Sequence, residues 1–86
     1  MAKIRRAPLG ERNIVGAKVE RLRRAKGIKQ KELAAMLQSA GMDIGETSLS
    51  RLEGQTRLVQ DFEIPILAKT LGVSAAWLLG EEEEQQ

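Results

Sequence analysis

Cysteine, histidine and tyrosine do not occur anywhere in this sequence of 86 residues. Without cysteine there is no disulfide and no thiolate metal site. Without histidine the commonest general base and the commonest metal ligand are gone. Without tyrosine there is no phenol acid. An enzyme built from this chain would have only carboxylates, lysines and hydroxyls. No paired carboxylates, nucleophile motif or glycine-rich phosphate loop organise those groups, and "GETS" and "SLSR" are too generic to count. No enzymatic activity, cofactor or metal is therefore expected. Apolar runs of the ~20 residues that cross a bilayer are also lacking. The basic start leads into no apolar signal region. The expectation is a soluble cytoplasmic protein of one small domain.

What the sequence does have is charge, unevenly placed. The net is only +2, yet residues 1–31 carry eleven Lys/Arg against two Glu, while residues 32–86 carry three against ten Asp/Glu. Four of those acids are consecutive, Glu81 to Glu84. A basic N-terminal side suits a polyanion such as nucleic acid. It is equally the composition of a solvated arm on a helical bundle.

Residues 1–12, with Pro8, Gly10 and the cations Lys3, Arg5 and Arg6, read as a flexible basic arm. Asn13 then offers an N-cap, and Val15, Val19 and Leu22 repeat with helical period up to Gly27. A second helix opens near Lys29 or Gln30 with the stripe Leu33, Leu37, Ala40, and Gly41 stops it. That leaves "GMDIG" as the connection, with Ile44 plugging the turn into the core and Asp43 or Gly45 capping the next helix. The third helix spans about Glu46 to Glu53, with Leu49 and Leu52 inward and Gly54 as the residue just past its end. A fourth helix runs from an Asp61 N-cap to Leu71, with Ile64, Leu67, Ala68 and Leu71 inward. Pro65, as its fourth residue, would delete one hydrogen bond. Ser74 caps a last short helix, "AAWLL", ending at Gly80, and residues 81–86 form a polar tail expected to be disordered. The fold expected is an all-α bundle of five helices over residues 13–80.

Placed on these helices, "LRRAKGIKQKELAAML", "SLSRLEG" and "LAKTLGVSAAWLLG" resemble the lambda-repressor-like, Cro/CI-type (XRE) helix-turn-helix domain. The likeness covers about Val15 to Gly80. The connection between the second and third helices is longer than the family's common spacing, and resembles the longer-turn members with Asp-Ile ahead of helix three. The resemblance implies a sequence-specific regulator of double-stranded DNA, a repressor, binding as a homodimer with half-sites about 34 Å apart. Only the acidic tail follows helix five, so no small-molecule effector domain is expected.

The same resemblance implies roles for particular residues. Glu46, Thr47, Ser50 and Arg51 would read base edges from helix three. Arg51 could fork onto guanine, Thr47 touch a thymine methyl or a phosphate, and Glu46 either accept from cytosine or simply support the helix start. Ser48 would face a phosphate or fill the turn. Gln30 would meet a phosphate at the start of helix two, where free N–H groups attract anions; its bland alternative is an exposed polar residue. Gln55, Thr56 and Arg57 would touch the sugar-phosphate backbone, and Lys3, Arg5 and Arg6 would lie along it. Arg23 and Glu53 match a partly buried ion pair between helices one and three. Trp77 and Leu78 are dimer-interface candidates, with Trp77 otherwise a core residue. A second class stays open: an antitoxin-like or adaptor module on the same fold, since Glu46 and Glu53 offset Arg51.

Overall fold

In the computed structural model, which describes residues 12–81, the five helices are α1 (Gly16–Ala25), α2 (Gln30–Ser39), α3 (Glu46–Glu53), α4 (Glu63–Leu71) and α5 (Ala75–Leu78). Among the described residues there is no strand. Lys3, Arg5 and Arg6, and residues 82–86, lie outside the described residues.

The inward stripes meet in one core. Val15 and Val19 come from the α1 side, Leu33 and Leu37 from α2, Leu49 and Leu52 from α3, Leu67 and Leu71 from α4, and Leu78 from α5, all essentially without solvent exposure. Burying side chains of this kind is worth roughly 1.5–3 kcal/mol each relative to exposure. α3 packs against both α1 and α2. The approach of α1 to α3 is close enough that a Cβ on Gly16 would collide with the Leu52 carbonyl. Asn13 secures the same junction. Its Oδ1 accepts the Gly16 N–H at 2.7 Å, and its Nδ2 donates to the Leu52 and Arg57 carbonyls at 3.2 and 2.7 Å. The regular helix begins only at Gly16, so Asn13 caps a turn that precedes it and staples that turn to the end of α3.

The elbow between α2 and α3 is a C-cap followed by a short extended segment. Gly41, at φ +102°, takes a left-handed conformation that a side chain would disfavour. The Gly41 N–H donates to the Gln38 carbonyl and the Met42 N–H to the Leu37 carbonyl, which closes the end of α2. Met42 and Ile44 both point into the core at 1% exposure while Asp43 points out. Alternation of this kind is what an extended chain produces. The Gln38 amide holds the Ile44 carbonyl at 2.6 Å, so the connection is tied back to α2. Met42 as a second plug was not evident from the pattern.

Two expected helix ends differ. The left-handed residue after α3 is Gln55, at φ +67°, and Gly54 keeps φ −81°. α3 spans the expected residues with Gly54 just past its end, and only the left-handed position falls one residue later than the glycine. At α4, Asp61 is not the N-cap. The helix begins at Glu63 after Phe62, and no side chain caps it. Pro65 is then its third residue, whose missing N–H would have had no intrahelical partner. Starting late removes the lost hydrogen bond expected from an earlier start. α5 begins as expected, with the Ser74 hydroxyl accepting the Trp77 N–H at 3.0 Å.

Candidate nucleic-acid interface

α3 has two faces. Leu49, Leu52 and Glu53 are buried, whereas Glu46, Thr47, Ser50 and Arg51 are exposed and Ser48 is half-buried. The exposed four fall at i, i+1, i+4 and i+5, which places them on one side of the cylinder. Glu46 stands in the first turn, where a negative charge complements the helix dipole. Arg51 lies one turn beyond Thr47.

The position of that face is set by a buried polar knot. Arg23 of α1 donates through Nε to Glu53 Oε2 at 2.7 Å and through a terminal nitrogen to Oε1 at 3.1 Å. The two side chains are 9% and 3% exposed. The other terminal nitrogen of Arg23 donates to the Ile28 carbonyl at 2.9 Å, in the turn that leads to α2. The hydrogen bond and charge of Glu53 raise the Arg23 pKa further against the opposing effect of burial, so the guanidinium is charged throughout the working pH range. Gln30, the first residue of α2, completes the knot by donating from Nε2 to Glu53 Oε1 at 3.0 Å. One carboxylate thus joins the end of α1, the start of α2 and the end of α3.

Gln30 is therefore an oriented group. An amide nitrogen carries two hydrogens, and only one of them is used on Glu53. Beside it Glu32 turns back to accept the Lys29 N–H at 2.8 Å. The exposed cations Arg24, Lys26, Lys29 and Lys31 surround this helix start. Sequence reading did not single them out as a group, although their clustering in the basic N-terminal half was the available signal.

The loop after α3 is committed to structure more than to solvent. Arg57 forks onto Glu63, with both N–O distances at 3.1 Å, and also donates to the Leu58 carbonyl. It serves first as the partner of a buried carboxylate. Burial alone would raise the Glu63 pKa, but the Arg57 fork and the Gln60 N–H outweigh it and hold the carboxyl below its usual value. Thr56 is exposed, with its hydroxyl 3.3 Å from the Arg51 carbonyl. Gln55 turns its amide nitrogen inward, where among the described residues it has no partner.

Trp77 and Leu78, expected at a dimer surface, are 3% and 0% exposed. Both belong to the core because α5 is a single turn that has to fold its apolar side under α4 to be stable. Trp77 instead has Lys18 and Arg21 over its ring, at 4.7 and 5.8 Å from the centroid. Among the described residues the exposed large apolar side chains are Ile14, Met36, Leu58, Phe62 and Leu79.

With α2 and α3 arranged in this way, a profile of the helix-turn-helix family matches residues 19–78, most of the chain. The chain belongs to the Cro/CI-type helix-turn-helix family. It is a DNA-binding regulator of the XRE type. No curated protein and no solved structure matches significantly. Among the described residues no cluster of His, Cys, Asp or Glu suits a metal, and no helix is long and apolar enough to cross a membrane.

Proposed function

We propose that this protein represses transcription as a homodimer that reads operator DNA through the outer face of α3. The observation that carries the reading is the division of α3. Its inner residues are locked to α1 and α2, and its outer residues are the short or forked polar groups that major-groove recognition uses. Arg51 would fork onto a guanine edge, with Thr47 and Ser50 beside it and Glu46 facing a cytosine amino group. Gln30, held by Glu53, would give its second N–H to a phosphate. Ser48, Thr56 and the cations Arg24, Lys26, Lys29 and Lys31 would supply further backbone contacts. Gln55 and Arg57 are the weaker candidates of their loop, because both side chains are drawn inward.

Dimerisation needs a surface other than Trp77 and Leu78. The best supported one is a groove of about 570 Å³ where α1, α4 and α5 meet, lined by Ile14, Val59, Ile64, Pro65 and Leu79. Arg12 and Asp61 also line it. Under a two-fold axis each of these charges can face the other across the interface, as an isologous contact requires.

Selection of duplexes from a random pool at physiological salt tests the reading. An enriched inverted repeat supports it, and Arg51→Ala should then cost about 1–3 kcal/mol on that site while relaxing one base position. Bulk, salt-sensitive binding without enrichment would favour the adaptor reading instead. The exposure of Leu58 and Phe62, 64% and 60%, is the feature that reading would use.

A further inference from the structure

We propose that the outer face of α4 pairs antiparallel with the α4 of a second copy about a two-fold axis at Pro65, with Phe62 of each chain seated in a groove of the other. The inference rests on the homodimer of the proposed function, not on how α3 reads DNA. It gives that dimer a helix and a register.

α4 is apolar on two sides. On the inner side Leu67, Ala68 and Leu71 are buried in the core, and Glu63 is buried against Arg57. On the outer side Pro65 is exposed and Ile66 half-buried, with Lys69 and Thr70 as the only polar residues of the helix there. A helix that is apolar around most of its girth is normally covered. This one is open instead: a groove of about 540 Å³ runs along the outer side, lined by Ala40, Pro65, Ile66, Lys69 and Thr70. Phe62, the only phenylalanine of the chain, is 60% exposed. Its dihedrals, φ −72° and ψ −13°, continue the helix backwards by one residue. It therefore stands one turn before Ile66 on the same stripe. Knob and groove lie side by side on one surface, which is what a self-complementary two-fold contact needs.

The charges fix the register. Asp61 and Lys69, both exposed, stand four residues before and four residues after Pro65, about 6 Å to either side along a helix. An antiparallel pair with its axis at Pro65 sets Asp61 of each chain against the partner's Lys69, twice over. It also brings Phe62 opposite the partner's position 68, next to the Ile66 and Lys69 that line the groove. A parallel pair would set acid against acid and base against base, so charge complementarity selects the antiparallel form. Pro65 also lines the groove already assigned to the dimer. One axis thus closes both grooves, one on each flank of α4. A single helix face buries less than the roughly 800 Å² per partner of a standard interface. The free dimer is therefore weak, and two half-sites on one duplex complete it by holding the chains together.

Sedimentation of the full chain without DNA tests the register, at low salt and over about 10 to 500 µM, since association depends on protomer concentration. The wild type should associate reversibly. Asp61→Lys alone and Lys69→Asp alone should each weaken association at least about tenfold, because like charges then meet at both contacts. An equal mixture of the two variants should regain it, because the mixed pair sets a lysine against an aspartate at both contacts. Phe62→Ala should weaken association by about the same factor, as the loss of an aromatic anchor does. The far-ultraviolet helix signal of each variant monomer should match that of the wild type. If the wild type associates but the single variants associate equally well, or the mixture regains nothing, the α4 pairing is overturned while the homodimer keeps its other groove. A wild type that is still monomeric at the highest concentration also overturns the pairing. The homodimer itself falls only if duplex selection yields no inverted repeat.

Discussion

Gln55 concentrates two local costs in one residue: a left-handed backbone at φ +67° and an inward amide nitrogen without a partner among the described residues. A side chain in that conformation costs roughly 1–2 kcal/mol, offset in part by the extra unfolded-state entropy of the glycine that would relieve it. Gln55→Gly should therefore raise stability by about 1 kcal/mol, measured by urea unfolding. A loss of stability would show that the amide has a buried role. Glu63 is the opposite case, a buried acid whose partners all favour its charge. Its carboxyl sits below the usual 4.5 in the folded chain. The stability it contributes is complete above that value and is lost as pH falls through the lowered one. Glu63→Gln should cost about 1–3 kcal/mol at neutral pH and flatten the acid limb of the stability–pH curve. An unchanged limb would assign acid sensitivity elsewhere. Neither residue advertises this in the sequence. The Arg57–Glu63 fork spans a loop without period, so Arg57 read as a loop cation for the sugar-phosphate backbone. Gln55 stands next to a glycine that looked like the natural cap.

At the scale of elements, the junction of α1, α2 and α3 is the part most legible in advance. Arg23 and Glu53 were paired from motif likeness, and the helical stripes identified Leu33, Leu37, Leu49 and Leu52 as inward. Gln30 as the third member of the knot was not legible, because a helix-start glutamine looks the same in sequence whether it faces solvent or a carboxylate. Arg23→Ala leaves Glu53 buried with only the Gln30 amide, and should destabilise the domain by roughly 3–5 kcal/mol. Calorimetric or chemical unfolding measures it, and a cost near zero would mean that water replaces the guanidinium. The elbow was legible in outline, through Gly41 and Ile44. Met42 escaped because two residues of extended chain are too few to display a period of two. The start of α4 was misplaced for a similar reason: Asp61 is a good cap by type, but Pro65 fits better as the third residue than as the fourth.

For the whole molecule, charge asymmetry was visible from composition alone, but not the places where opposite charges meet. The basic helix α1 lies beside the exit of the acidic run, a fact of tertiary packing between residues 18 and 77, and no local pattern encodes it. Family membership and the all-α architecture followed from three motifs in order. The placement of Trp77 did not, because a tryptophan near the end of a small domain suits an interface and a core equally until the packing of α5 is known. Salt dependence belongs at this scale too. Log affinity for duplex should fall linearly with log salt, with a slope set by the number of phosphates neutralised, and the Lys29→Gln/Lys31→Gln variant should make that slope shallower by about two. An unchanged slope would remove the α2 start from the contact surface.

The division of α3 has a consequence for how such a protein can change over time. Leu49, Leu52 and Glu53 hold the helix in place, while Glu46, Thr47, Ser50 and Arg51 are exposed and lie outside the buried core. On the proposed reading of α3, folding and target preference are written in separate letters of the same eight-residue word. Exposed helix positions tolerate exchange at little cost in stability. Under that proposal, a lineage carrying this domain could rewrite its preferred DNA sequence one substitution at a time without passing through an unfolded intermediate genotype.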